Sequence, residues 1–317
     1  MRTKRLGPQG PELSVAGFGA WEAGGEAYGP NESEDRVIEA IHAGIDAGIN
    51  WIDTAEVYGR GTSERIVGRA TRGRRDDVLI ATKVAPRPTG TGFRATEVRS
   101  ACQGSLQRLG IERIDLYQLH WQDGSVPLEE TWEAMAGLVD QGLVRWIGLS
   151  NYGREDIERC EAIRHVDSLQ PQFSLLHLKH RELIRWCATN GTGVVAYGPL
   201  AYGLLTGAIT ADTTFGPGDW RASGGASYYE NLFAPGKLER SLAVVERLRP
   251  VADRLGVTMA QLALAWTFHQ PGVTSAIAGS RNPEHVRQNA AAGDIELDRK
   301  TLDEVEEMLP LGPAFGD

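Results

Sequence analysis

The segment Asn50-Trp51-Ile52-Asp53-Thr54-Ala55-Glu56-Val57-Tyr58-Gly59 places a carboxylate at the end of a short apolar run. Gly48-Ile49-Asn50-Trp51-Ile52 follows the pattern of a buried strand entered from a glycine. Asp53 stands where that strand ends. Tyr58 follows in a loop closed by Gly59-Arg60-Gly61. A carboxylate and a phenol near one strand end supply half of a proton-transfer site. Taken alone, the same two residues also fit a turn cap and a packed ring. The pattern's recurrence along the chain separates the two readings.

Outward from this segment the chain alternates strand and helix. Before it, residues 4–18 alternate and are broken by Gly7-Pro8-Gln9-Gly10-Pro11, which predicts a small hairpin and then a strand at about 16–19. Ser33 is placed to cap a helix running to about Ala47, apolar at Val37, Ile38, Ile41 and Ile45. After the segment, Ser63 is placed to start a helix that stops near Gly73. Further strands are predicted at 77–84, 114–120, 144–150, 168–170, 193–197 and 273–278. The helices between them fall at about 95–109, 128–141, 154–164, 181–190, 237–255, 259–269 and 283–291, with a terminal helix at 298–308.

Short apolar strands alternating with amphipathic helices mean a parallel sheet. Repeated eight times with no change of composition, the unit predicts an α/β fold, the closed (β/α)8 TIM barrel, as a single domain over 1–317. An open doubly wound sheet is the runner-up. It wants a G-x-G-x-x-G turn, and Gly17-Phe18-Gly19 is followed by Ala20-Trp21-Glu22. The irregular stretch at about 211–236 exceeds an ordinary connection and reads as a lid or a disordered loop.

The chain has 317 residues, with 33 Lys+Arg against 42 Asp+Glu and a net charge of −9. That balance argues against nucleic acid or an anionic membrane as partner. Cys102, Cys160 and Cys187 lack disulfide or metal spacing and read as buried structural thiols. With no signal-like or membrane-length apolar run, the chain reads as a cytoplasmic protein. No metal site is expected: His177 and His180 read as a solvent-facing helix start.

Barrel enzymes carry their chemistry at the C-terminal ends of the strands. Those ends hold Asp53, Lys83, His120, Ser150, Gln170, Tyr197 and Ser280-Arg281, with few polar residues expected inside the strands. Four groups make chemical sense together. A tyrosine is a poor acid near neutrality, and a lysine ammonium beside it stabilises the phenolate. A carboxylate holds the lysine, and a neutral histidine orients a carbonyl oxygen. Tyr58, Lys83, Asp53 and His120 supply those roles.

At these residues the chain resembles the aldo-keto reductase superfamily, nearly end to end. The opening segment resembles the family motif with the catalytic Asp and Tyr. Thr82-Lys83-Val84 resembles the Lys segment, and Leu116-Tyr117-Gln118-Leu119-His120-Trp121 the His segment. The resemblance implies that Ser150, Asn151 and Gln170 hold a nicotinamide carboxamide and that Tyr197 stacks on its ring. It implies that Gly198, Leu200, Gly203 and Leu205 belong to the loop over the pyrophosphate. Gly279, Ser280, Arg281, Gln288 and Asn289 would hold the adenosine 2′-phosphate and adenine. NADPH is thus the implied cofactor, and NADH stays open because His285 stands where many members carry a basic residue.

The function so implied is NADPH-dependent reduction of an aldehyde or ketone, with Tyr58 as proton donor. Trp21, Tyr28, Trp121 and Trp220 are expected to line the carbonyl substrate's pocket, with Tyr228 and Tyr229 as further candidates. Two alternatives are a Schiff-base lyase using Lys83 and an NADPH-binding regulatory subunit with little turnover. The oligomeric state is open.

Overall fold

The computed structural model describes residues 1–25, 28, 33–224 and 232–309. The barrel is built from β3 (Ala16–Gly19), β4 (Trp51–Asp53), β5 (Leu79–Val84), β6 (Ile114–Leu119), β7 (Val144–Ser150), β8 (Ser168–Gln170), β9 (Gly193–Tyr197) and β10 (Ser275–Ile277). Each strand pairs in parallel with the next, and β10 closes onto β3. Between strands run α1 (Glu34–Asp46), α2 (Thr62–Ala70), α3 (Ala95–Leu109), α4 (Leu128–Asp140), α5 (Arg154–Glu161) and α6 (Arg181–Asn190). After β9 come α7 (Lys237–Leu255) and α8 (Met259–His269), then α9 (Pro283–Ala291) and α10 (Arg299–Glu307) after β10. This is the (β/α)8 architecture that the alternation predicts.

An antiparallel hairpin of β1 (Thr3–Arg5) and β2 (Glu12–Ser14) precedes the barrel, in the register Thr3↔Ser14. Its Leu6 and Leu13 join Trp51, Ala81, Leu116, Val195 and Ile277 in the apolar core inside the barrel. Trp51 is 1% exposed, and its indole N–H donates to Ser14 O at 3.2 Å and Ser275 Oγ at 3.0 Å. Gly17 makes room for that ring, since a Cβ there would lie 2.2 Å from it. The larger core fills the layer between strands and helices.

Local expectations shift in several places. Ser63 lies inside α2 and bonds the Ala20 carbonyl at 2.7 Å and the Thr54 hydroxyl at 2.7 Å; the helix starts at Thr62 after Gly61. Ser33 holds the cap position of α1 without a side-chain bond. α5 stops at Glu161 rather than 164, and the Glu161 carboxylate reaches forward to accept from Val166 N at 2.9 Å. β10 is limited to Ser275–Ile277. His177 is buried, not solvent-facing, because Leu175 and Leu176 draw its segment into the core.

Polar groups also occur inside the strands, contrary to the expectation of few. Gln118 and Ser168 are fully buried there and bond each other. The three cysteines are buried, and burial pushes each thiol up to about 12. Among the described residues no helix is long and apolar enough to cross a membrane.

Candidate active site

β4 ends at Asp53, and the loop beyond it returns over the neighbouring strand β5. Glu56 N donates to Lys83 O at 3.3 Å, and the Glu56 carboxylate accepts from Ala85 N at 2.9 Å and Thr91 N at 3.0 Å. That anchoring brings Tyr58 above Lys83. The Lys83 ammonium donates to Asp53 Oδ1 at 2.5 Å, Thr54 O at 2.9 Å and the Tyr58 hydroxyl at 3.3 Å. From the end of β6, the His120 ring meets the Tyr58 ring edge-on at 5.6 Å.

The four groups that the sequence separates thus converge. Asp53, Tyr58 and His120 line a cleft of about 1200 Å³ at the C-terminal ends of the strands. Lys83 is fully buried just beneath and is not part of the lining. Burial lowers the Lys83 ammonium from its ordinary value and raises the Asp53 carboxyl, and the attraction between the two pulls both back. Burial, with the Lys83 charge adding to it, pushes His120 well below the ordinary histidine range. Its Nδ1 is buried without a hydrogen-bond partner among the described residues.

A second polar group stands beside the first. Asn151, in the left-handed region at φ 66°, donates to His120 O at 2.9 Å and Ser150 Oγ at 3.1 Å. Asparagine tolerates that conformation better than most residues. The Tyr197 hydroxyl donates to Asn151 Oδ1 at 2.8 Å, which fixes the Tyr197 ring at the cleft. Gln170 Nε2 donates to Asp53 Oδ2 at 2.9 Å.

The cleft continues past Gly198, Leu200 and Gly203 to Gly279, Ser280, Arg281, Gln288 and Asn289. On the way the backbone is strained: Ala201 and Tyr202 have φ of 46° and 58°. Leu205, by contrast, is packed into the core with its side chain outside the lining. Trp21, Tyr28 and Trp121 line the cleft. Trp220 stands behind them, 6.1 Å from Trp21 and 5.1 Å from Tyr202, ring to ring. Tyr228 and Tyr229 lie outside the described residues.

Sequence reasoning missed Arg221, Glu22 and Tyr202, which also line the cleft. Arg221 comes from the irregular insert. It pairs with Asp219 at 2.6 Å, donates to Tyr202 O at 3.1 Å and lies over the Tyr28 ring at 5.0 Å. Burial raises the Glu22 carboxyl above its ordinary value, against the nearby Arg281 and Arg221 charges. The only sequence signal for Arg221 was its place beside Trp220 in a loop too long for a simple connection.

Fold and cleft together define a barrel protein with a polar rim at the C-terminal ends of its strands. The Aldo/keto reductase family model matches residues 16–310, and the chain belongs to that family. It is 34% identical to the aldo-keto reductase YhdN of Bacillus subtilis (strain 168), over 99% of this chain and 97% of that one. A probable voltage-gated potassium channel subunit beta of Arabidopsis thaliana is 32% identical over 99% of this chain and 98% of its own. Among solved structures, a glycerol dehydrogenase from Gluconobacter oxydans superposes with a TM-score of 0.85 at 30% identity, covering 98% and 97%. An aldo-keto reductase from Klebsiella pneumoniae in complex with NADPH gives 0.76 at 32% identity, covering 99% and 97%.

Proposed function

We propose that this chain is an NADPH-dependent carbonyl reductase that converts an aldehyde or ketone to an alcohol. The single observation that carries the reading is the convergence of Tyr58, Lys83, Asp53 and His120 at one end of the long cleft. The donor set suits the cofactor. Amides and a tyrosine ring stand at the end nearest the four groups, and Arg221 and Arg281 stand on the cleft for phosphate. Ser150, Asn151, Gln170 and Tyr197 would hold the nicotinamide, and Arg281, Gln288 and Asn289 the phosphorylated adenosine.

When bound, NADPH supplies the hydride for the carbonyl carbon. The chain's residues handle the oxygen. Tyr58 donates its hydroxyl proton to the developing alkoxide, and the Lys83 ammonium stabilises the phenolate left behind. Asp53 holds Lys83 in place from the other side. Neutral His120 donates a hydrogen bond that orients the carbonyl. Trp21 and Trp121 form apolar walls for the rest of the substrate.

Tyr58→Phe removes only the proton donor. Turnover of an aldehyde panel should fall by about a hundredfold or more, with NADPH affinity within about twofold. Turnover close to wild type would remove Tyr58 from that role. The lyase reading is disfavoured because Lys83 is sealed beneath the cleft and saturated by three acceptors. Likeness to the channel subunit favours a second reading, an NADPH-binding regulatory protein. Tight NADPH binding without oxidation by any aldehyde of the panel would select it.

A further inference from the structure

Beneath the cleft lies an amide that this chemistry leaves unused. Gln118, on β6, is fully buried inside the barrel. Its Nε2 donates to Ser168 Oγ at 3.3 Å, and its Oε1 accepts from Gln170 Nε2 at 3.0 Å. The same Gln170 nitrogen donates to Asp53 Oδ2 at 2.9 Å, and the other Asp53 oxygen receives Lys83. One chain of bonds therefore links Ser168, Gln118, Gln170, Asp53 and Lys83. Room for Ser168 in it exists because residue 148 is glycine: a Cβ there would sit 2.1 Å from Ser168 Oγ.

A primary amide nitrogen carries two N–H groups. Both of those on Gln170 are spent on the barrel interior, one on Asp53 and one on Gln118. Gln170 also lines the cleft, so the end left for a ligand is its carbonyl oxygen.

We infer that Gln118 is a positioning residue, which holds the Gln170 amide with its oxygen toward the ligand and selects an N–H donor there. The inference rests on reading the cleft as a nicotinamide site, whose carboxamide N–H2 is that donor. Without the Gln118 acceptor, only the bond to Asp53 still opposes turning over of the Gln170 amide, and the turned-over form gains population. It would then present N–H to N–H and withdraw a bond from Asp53.

Gln118→Met keeps the length and removes both polar atoms. By fluorescence quenching, the Kd for NADPH should rise roughly tenfold. The Kd for 2′,5′-ADP, which lacks the nicotinamide, should stay unchanged. In a Gln170→Met background, Gln118→Met should add less than about twofold, because both act through one contact. Equal weakening of NADPH and 2′,5′-ADP, or full additivity in that background, would show a merely structural role and overturn the inference. Ser168→Ala trims a single hydroxyl and carries the test if Gln118→Met does not fold. It should weaken NADPH and spare 2′,5′-ADP, and an unchanged ratio of the two counts against the inference. Wild-type protein that binds no NADPH overturns this inference and the reductase reading together. Wild type that binds it, with Gln118→Met binding equally well, overturns this inference alone.

Discussion

His120 shows what burial does to a single group. Its imidazole is pushed well below the ordinary range by burial, with the Lys83 charge adding to that. It is therefore neutral near neutral pH, and a neutral imidazole can donate a hydrogen bond into the cleft. The unfolded chain takes up that proton near pH ~6.5, whereas the folded chain does so only at lower pH. Between the two values the unfolded state binds more protons, so stability falls as the pH drops below about 6.5. Urea midpoints measured between about pH 7 and pH 5 should fall more steeply for wild type than for His120→Gln. Parallel slopes for the two proteins would contradict a buried neutral imidazole. That His120 belongs near Tyr58 was legible in the sequence; its depressed pKa was not, because it depends on what packs around the ring.

At the scale of an element, the insert before α7 does more than connect. Its turn at Trp220–Ser223 is capped by Asp219, whose carboxylate accepts from Arg221 N at 3.0 Å. Asp219 also forms a bridge to Tyr28, so the loops after β3 and β9 meet across the cleft. Arg221 joins them and shares the cleft with Arg281. Arg221→Met keeps the apolar stem and removes the charge. NADPH affinity should fall roughly tenfold and NADH affinity by less than about threefold, because only NADPH carries the extra phosphate. Equal loss for both cofactors would mean that Arg221 only holds the loop. The insert's excess length was visible in the sequence. Its return to Tyr28 was not, since that contact has no local periodicity to announce it.

Across the whole molecule, two cores divide the work. The outer one binds helices to strands, and the inner one is plugged by hairpin leucines and by Trp51. Trp51 is nearly inaccessible and its N–H is paired twice. Trp51→Ala should cost about 3–5 kcal/mol, read from the denaturant midpoint at unchanged slope. A loss under about 1 kcal/mol would mean that the inner core collapses around the gap. The same closure aims the strand ends at one cleft, which ties the stability of the barrel to the geometry of its rim.

By itself the sequence determined the eight strand–helix units, the barrel they close, and the polar residues at the strand ends. These rest on period and turn chemistry, which act between neighbours along the chain. Only the tertiary structure decided that Lys83 lies under the cleft rather than in it, and that Leu205 and Trp220 stand behind it. It also recruited Arg221 and Glu22 to the cleft, and Gln118 to the network beneath. Those outcomes depend on strand register and on where distant loops return, and no local pattern encodes either one.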